Sequence, residues 1–174
     1  MGLNMGQDME DCEKKDNETI EYYCLPAIKL AILSLATLGL YSIFWFYENW
    51  RIIKIYDKSN IHPFARAIFS VFYGLSLFKK IYHSADIHGV RSIYKPLNHY
   101  LLFLALSSII FLPDPWWLLA GLNVLPFLAI QKVIQINNRK IDPSFRTKKR
   151  FSKREIAITI TSVALLLFGL IQMI

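Results

Sequence analysis

The sequence predicts an all-α fold, specifically a polytopic helical membrane protein with four or five transmembrane helices. The first observation is composition: 54% of the residues are hydrophobic, and the mean hydropathy is +0.33. The second is the length of the uncharged apolar runs, which cover residues 30–47 and 156–174. The third is that Asp114 is the only charge between Lys95 and Lys132. Such runs exceed what a water-soluble helix needs to bury one face.

The chain begins with an acidic tail, residues 1–24, which we expect to be disordered. The remainder, residues 25–174, is expected to form one helical membrane domain. The tail holds seven acidic and two basic side chains, and the rest of the chain holds six acidic and 18 basic ones. Because most of these bases flank apolar runs, the positive-inside bias of membrane loops explains the net charge of +7 without nucleic acid. Cys12 and Cys24 are interpreted as unpaired thiols.

Five helices are predicted in the membrane domain, over residues 26–47, 64–81, 97–112, 116–136 and 153–174. In the first helix, Pro26 suits the first turn and Lys29 is expected to snorkel to the near interface. Eighteen residues as a helix reach about 27 Å, close to the hydrocarbon thickness of a bilayer. Trp and Tyr rings prefer the headgroup level, so five aromatic residues are predicted as interface anchors. They are Trp45, Tyr47, Trp50, Trp116 and Trp117.

The second predicted helix is the least certain membrane crossing in the sequence. It follows residues 48–62, an amphipathic stretch that we expect to extend the first helix along the membrane surface. Only twelve residues separate Arg66 from Lys79. Twelve residues span about 18 Å, which is short for a crossing. The segment therefore crosses with both bases snorkelling, lies in the interface, or re-enters.

Prolines and a capping box mark breaks and boundaries in the last three helices. The Pro113-Asp114-Pro115 turn predicts a tight reversal between the third and the fourth helix. Pro126 predicts a kink in the fourth helix. Ser152 and Glu155 fit a capping box, so the fifth helix should begin at Ser152.

Charge counting leaves two topologies open. With five crossings, 15 bases lie on the side of the tail and three lie opposite, so the N-terminus is cytoplasmic. If residues 64–78 do not cross, the count becomes 17 against two and the tail is exported. Both topologies place the loop 137–152 in the cytoplasm and the C-terminus on the exported side.

Basic side chains supply the candidate lipid contacts. Arg66 lies within an apolar segment, where it could hold a lipid phosphate, pair with Glu48 or snorkel to the interface. The loop before the last helix should attract anionic lipid. The predicted headgroup contacts are Arg66, Arg146, Lys148, Lys149, Arg150, Lys153 and Arg154.

Two motifs in the membrane domain are distinctive. The first is Thr37-Leu38-Gly39-Leu40-Tyr41, followed by Trp45-Phe46-Tyr47-Glu48-Asn49-Trp50-Arg51. The second is Leu112-Pro113-Asp114-Pro115-Trp116-Trp117. Together they resemble a family of uncharacterised bacterial multi-pass inner-membrane proteins, a domain of unknown function, and the resemblance covers about residues 25–174. It implies a location in the bacterial inner membrane and carries no reaction, cofactor or ligand.

The sequence suggests no catalytic, cofactor or metal site. It has no P-loop, no G-x-G-x-x-G, no G-x-S-x-G and no metal-ligand spacing. We therefore expect a structural or interaction subunit that contacts membrane lipids and a membrane-protein partner or a second copy of itself. One alternative is a small transporter or channel component. Another is a lipid-acting membrane enzyme that uses Asn98, His99 and Arg66.

Overall fold

The computed structural model describes residues 20–90, 94–113, 116–147 and 152–171, apart from the side chains of Trp117, Leu118, Arg154, Ile158 and 165–171. Over these ranges the fold is all-α, without strands, as the sequence predicts. The α-helices are α1 (Ala27–Ala36), α2 (Tyr41–Tyr56), α3 (Pro63–Ile68), α4 (Ser70–Ile87), α5 (Pro96–Ser107), α6 (Leu125–Ile141) and α7 (Lys153–Ile171). Two 3₁₀ helices span Ser108–Phe111 and Trp116–Val124.

The predicted single helix over residues 26–47 is wrong, because the chain breaks after Ala36 and restarts at Tyr41. Leu38 and Gly39 take positive φ angles of 47° and 86°, a left-handed conformation that ends a helix. The Thr37 hydroxyl then accepts a hydrogen bond from the Tyr41 N–H at 2.9 Å. Amphipathic residues 48–56 continue α2 directly.

Helices α1 and α2 fold back on each other as a hairpin. The residues just before α1 contact the second half of α2: the Tyr23 N–H donates to Asn49 Oδ1 at 3.1 Å. The Tyr23 ring also lies edge-on to Phe44, with centroids 6.2 Å apart. Because the start of α1 lies beside the middle of α2, the two helices run in opposite directions.

Two more of the predicted helices, the second and the fourth, are also divided. Residues 64–81 form α3 and the start of α4, with a break at Phe69. Pro126 lies in the first turn of α6, after a 3₁₀ helix, so the predicted kink within one α-helix is wrong. A proline in the first turn loses no helical hydrogen bond, because its missing N–H would be unpaired there anyway.

The capping box that begins the last helix is confirmed. The Ser152 N–H donates to Glu155 Oε2 at 2.6 Å, and the Glu155 N–H donates to Ser152 Oγ at 3.2 Å. These two bonds satisfy donors that an uncapped helix would leave unpaired.

An aromatic cluster from α2, α4, α5 and α6 forms the centre of the core. Trp45 and Phe127 lie 4.9 Å apart between ring centroids, and Phe46 lies 5.5 Å from Phe103. Phe78 lies 5.8 Å from Phe127. Edge-to-face pairs of this kind stabilise a core beyond the area they bury.

Part of the chain assigned to the disordered tail is instead in the core. Ile20, Tyr22 and Cys24 are each less than a tenth exposed. The predicted domain boundary at residue 24 is therefore wrong, and the packed part of the chain includes residues 20–24. We call residues 20–25 the N-terminal strap.

Among the described residues, one helical stretch is long and apolar enough to cross a membrane, Leu119–Ile141, and 56% of its most apolar part is buried inside the molecule. Shorter apolar helices occur at Ala27–Ala36, Pro96–Phe111 and Glu155–Ala164. The four or five individually sufficient spans predicted from the sequence are therefore not found.

Candidate functional site

Amide side chains hold the N-terminal strap in place. Asn138 of α6 forms two hydrogen bonds with Tyr22: its Nδ2 donates to the Tyr22 carbonyl at 2.7 Å, and its Oδ1 accepts from the Tyr22 N–H at 3.2 Å. Asn49 accepts from the Tyr23 N–H, and Gln131 accepts from the Leu25 N–H at 3.3 Å. An extended segment without a β partner needs such acceptors when it is buried.

A buried ion pair lies beside the strap and joins the first and the last described α-helix, α1 and α7. Lys29 Nζ in α1 lies 2.7 Å from Glu155 Oε2 in α7, and their side chains are 4% and 5% exposed. The expected snorkelling of Lys29 to an interface is therefore wrong. Two charges this deeply buried remain ionised only because each neutralises the other and further hydrogen bonds complete the site.

Tyrosine hydroxyls extend this network into the core. The Tyr23 hydroxyl donates to Glu155 Oε1 at 3.5 Å and lies 3.4 Å from the Tyr41 hydroxyl. Burial raises the pKa of Tyr23 to about 12. Tyr23 is therefore protonated at neutral pH and can donate to the carboxylate.

The strap and the ion pair form one wall of a small cavity of about 210 Å³. Ile52 of α2 and Phe145 and the exposed Arg146 of the loop after α6 also line it. Four separate parts of the chain therefore meet there: the strap with α1, α2, this loop and the start of α7. The lining residues are Glu21, Tyr22, Tyr23, Cys24, Leu25, Lys29, Ile52, Phe145, Arg146, Ser152 and Glu155.

The cysteine in this wall is a poor nucleophile. Burial raises the pKa of the Cys24 thiol to about 12, although the positive charge of Arg139 opposes this effect. Nucleophilic attack requires the thiolate, so Cys24 is chemically inert in the folded protein. Within the described part of the chain, no group of three or more His, Cys, Asp or Glu side chains is arranged to hold a metal ion.

Among the predicted headgroup contacts, Arg66 lies against two aromatic rings. The Arg66 guanidinium carbon lies 4.5 Å from the centroid of the Trp50 ring and 5.1 Å from that of Tyr73. Glu48 pairs with Arg51 instead, at 3.3 Å. Arg66 is thus a cation–π partner that ties α3 to α2.

The basic loop contributes only part of the predicted set to the described structure. Arg146 lies at the cavity, and Lys153 is exposed at the start of α7. Lys148, Lys149 and Arg150 lie outside the described residues, as does the side chain of Arg154.

Two of the predicted interface anchors are core residues. Trp45 and Trp50 are fully buried, and their indole N–H groups have no acceptor among the described residues. Their assignment to a lipid–water interface is therefore wrong, because a buried ring cannot reach the headgroup layer. Tyr47 is half-buried against the core, and Trp116 is 57% exposed. The side chain of Trp117 is not described.

Sequence reasoning did not identify the residues that organise this site. Asn49, Gln131 and Asn138 are almost fully buried and each binds the main chain of the strap. The available signal was their position: each is an amide side chain within or beside an otherwise apolar helical run. Such amides in a helix usually bind a neighbouring segment.

Comparison of the chain with family models, curated proteins and solved structures finds no match. The resemblance to an uncharacterised inner-membrane family therefore stays a prediction.

Proposed function

We propose that the chain is a small membrane-embedded protein of the bacterial inner membrane that acts as a structural or interaction subunit. In this proposal it is multi-pass, the loop 137–152 is cytoplasmic and the C-terminus is on the exported side. It contacts membrane lipids and either a membrane-protein partner or a second copy of itself.

The observation that carries the proposal is the number of large apolar side chains that are exposed on the described surface. Large apolar side chains are exposed along several helices: Ile28 is 76% exposed, Phe72 76%, Phe111 87% and Ile160 64%. Scattered exposed apolar residues are ordinary in soluble proteins, but a set this large indicates an apolar environment.

Several polar side chains lie in the interior. Asn49, Asn137 and Asn138 are 0% exposed, and the Lys29–Glu155 pair is buried with them. In lipid, polar groups must be satisfied inside the protein because the hydrocarbon offers no partners. Asn49 and Asn138 meet this requirement with both amide atoms, because each Oδ1 accepts from the strap and each Nδ2 donates to a main-chain carbonyl.

A subunit role is supported by how these polar groups are used. The three strap amides bind main-chain groups of the protein itself, and Lys29 and Glu155 bind each other. His99, the residue on which the lipid-enzyme alternative depends, contacts the carbonyl of Lys95 in its own helix through Nδ1 at 3.2 Å. These contacts stabilise the fold.

Two measurements test the proposal. The first is alkaline carbonate extraction of membranes that contain the tagged protein, which should leave it in the pellet. Recovery as a folded protein in the supernatant contradicts the membrane location. The second is light scattering after purification in mild detergent, where a dimer or a stoichiometric complex is expected and a lone monomer contradicts the subunit role.

The two alternatives have distinct readouts. Protein-dependent solute uptake by reconstituted vesicles would favour a transporter or channel component. Loss of lipid turnover in a folded and inserted His99→Ala variant would favour a lipid-acting enzyme. Normal lipid turnover in that variant is the outcome that the proposed subunit role requires.

A further inference from the structure

Several connecting segments of the chain meet at one end of the helices, which we call the polar end. The strap reaches α6 through the two Tyr22–Asn138 hydrogen bonds. Two residues further along α6, Lys140 Nζ donates to the carbonyls of His88 and Gly89 at 2.7 and 3.0 Å. The strap, the end of α4 and the end of α6 therefore lie together.

The end of α2 lies at the same place. Ile52 lines one cavity with Tyr22 of the strap and Arg146 of the loop after α6. Just beyond α2, the Asp57 carboxylate pairs with Lys80 of α4 at 3.0 Å. The connection 57–62 is therefore at the polar end, although the five-crossing topology places it on the opposite side from the strap.

The turn between α1 and α2 lies away from the polar end. Gly39 lies so close to Asn123 that an added Cβ would be 2.4 Å from Asn123 Nδ2. Gly121 faces Leu35 in the same way, with 3.1 Å to the Leu35 Cα. Asn123 and Gly121 both belong to the 3₁₀ helix Trp116–Val124. Helix α1 has ten residues and reaches about 15 Å, half the hydrocarbon thickness of a bilayer.

The backbone N–H groups of this turn are satisfied within the protein. The N–H groups of Leu38, Gly39 and Leu40 donate to helix-end carbonyls at 3.2, 2.7 and 3.1 Å. The Tyr41 N–H donates to the Thr37 hydroxyl, and the Ser42 hydroxyl donates to the Gly39 carbonyl at 2.7 Å. Non-helical backbone is tolerated at membrane depth only where its polar groups have such partners.

We propose that α1 and α2 form a re-entrant hairpin, which enters the bilayer from the cytoplasmic side, turns at residues 37–40 and returns to the same side. This inference rests on the proposed membrane location. Residues 63–87 also begin and end at the polar end, so they do not cross. The two helical segments on either side of residues 112–115 cross as a pair, and α7 crosses once.

The distribution of charge agrees with a one-sided arrangement. The chain has 20 Lys and Arg residues, and every one belongs to a segment before Pro96 or between residues 132 and 154. With the re-entrant hairpin, all of these segments face the cytoplasm and the exported side receives none. The two topologies counted from the sequence place three or two bases on the exported side. The positive-inside bias therefore favours the hairpin.

Cysteine labelling tests the arrangement. Native Cys12 reports on the tail. Asn60→Cys and His62→Cys report on the connection after α2. Leu112→Cys reports on the connection between the two 3₁₀ helices. Each is the only cysteine in its variant: Cys24 is replaced in all four, and Cys12 is also replaced in the three that carry an introduced cysteine. A membrane-impermeant maleimide is applied to right-side-out and to inside-out vesicles that contain the full chain.

The expected result is that Cys12 and the cysteine at residue 60 or 62 are labelled only in inside-out vesicles, and the one at 112 only in right-side-out vesicles. Labelling of residue 60 or 62 from the outside restores the five-crossing topology and overturns the hairpin. Labelling of Cys12 from the outside restores the four-crossing topology and also overturns it. Release of the protein by carbonate contradicts the membrane location itself, so the two failures are distinguishable.

Discussion

Individual residues in the T-L-G-L-Y stretch carry out separate structural tasks. Thr37 caps α2, and Gly39 supplies a left-handed conformation at a point of contact with Asn123. Tyr41 places its hydroxyl beside that of Tyr23. The short motif therefore encodes a reversal of the chain and its attachment to the strap.

Gly39→Ala tests the first of these tasks. The new methyl group would meet Asn123 at 2.4 Å, and φ is 86°. We expect a loss of about 2–5 kcal/mol in the free energy of unfolding, from backbone strain and overpacking together. Gly89→Ala is the matched control: φ is also positive, but the nearest atom is Lys140 Nζ at 3.8 Å. It should cost only about 1–2 kcal/mol. Thermal unfolding in detergent measures both, and equal losses would contradict the contact with Asn123.

The buried ion pair has a similar test. Lys29→Met leaves the Glu155 carboxylate buried without its cation, so we expect a loss of about 3–5 kcal/mol. Replacing both residues, Lys29 by Met and Glu155 by Gln, should recover most of that stability, because no buried charge remains and glutamine can keep the capping box.

The exposed pair Arg51–Glu48 supplies the control for the ion pair. Arg51 is 52% exposed, and Arg51→Met should change the free energy of unfolding by less than about 1 kcal/mol. If the double variant at positions 29 and 155 is no more stable than Lys29→Met, an unpaired buried charge is not the cause of the lost stability.

At the scale of elements, the N-terminal strap connects helices that are distant in sequence. It binds α2 through Asn49 and α6 through Gln131 and Asn138. The adjoining Lys29–Glu155 pair brings α7 to the same place. Because the strap has no regular hydrogen bonding of its own, its position depends on these side chains.

Asn138→Leu should release the strap. It removes two hydrogen bonds and leaves the Tyr22 N–H and carbonyl unpaired, at about 1–3 kcal/mol for each group. Cys24 then becomes accessible, and its reaction with a small maleimide should be accelerated at least about tenfold. In the parent protein the reaction should stay slow up to about pH 10, because the thiol pKa is about 12.

Asn137→Leu is the control for the strap, in a background with Cys12 replaced by Ser. Asn137 is as buried as its neighbour, but its Nδ2 donates to Ser84 and not to the strap. Equal acceleration of Cys24 labelling by both variants would indicate general destabilisation and would contradict a specific role for Asn138.

At the scale of the whole molecule, the described helices pack together and expose many large apolar side chains. Among the described helices, only Leu119–Ile141 is by itself long and apolar enough to cross a membrane. The exposed apolar side chains nevertheless come from all seven described α-helices and both 3₁₀ helices. The affinity for lipid that we propose is therefore a property of the assembled surface.

Phe72→Asp tests that surface. Phe72 is 76% exposed, so its replacement removes little internal packing. In contact with lipid, the new carboxylate costs up to about 3 kcal/mol. We expect less protein in carbonate-washed membranes. Phe72→Leu should not change this amount, nor should Asn60→Asp, which adds the same charge at the polar end. An increase in soluble, folded Phe72→Asp protein would instead indicate that this face lies in water.

The sequence by itself determined the helical class and the capping box at Ser152, because both depend on neighbouring residues. The predicted Pro113-Asp114-Pro115 turn lies partly outside the described residues. The sequence also located the motif around Gly39, but as part of a continuous helix. Only the tertiary structure decided that this stretch folds back, that Trp45 and Trp50 are buried, and that Lys29 pairs with Glu155. Those outcomes depend on contacts between residues far apart in the chain, and the free energy of such contacts outweighs local helix propensity and hydropathy.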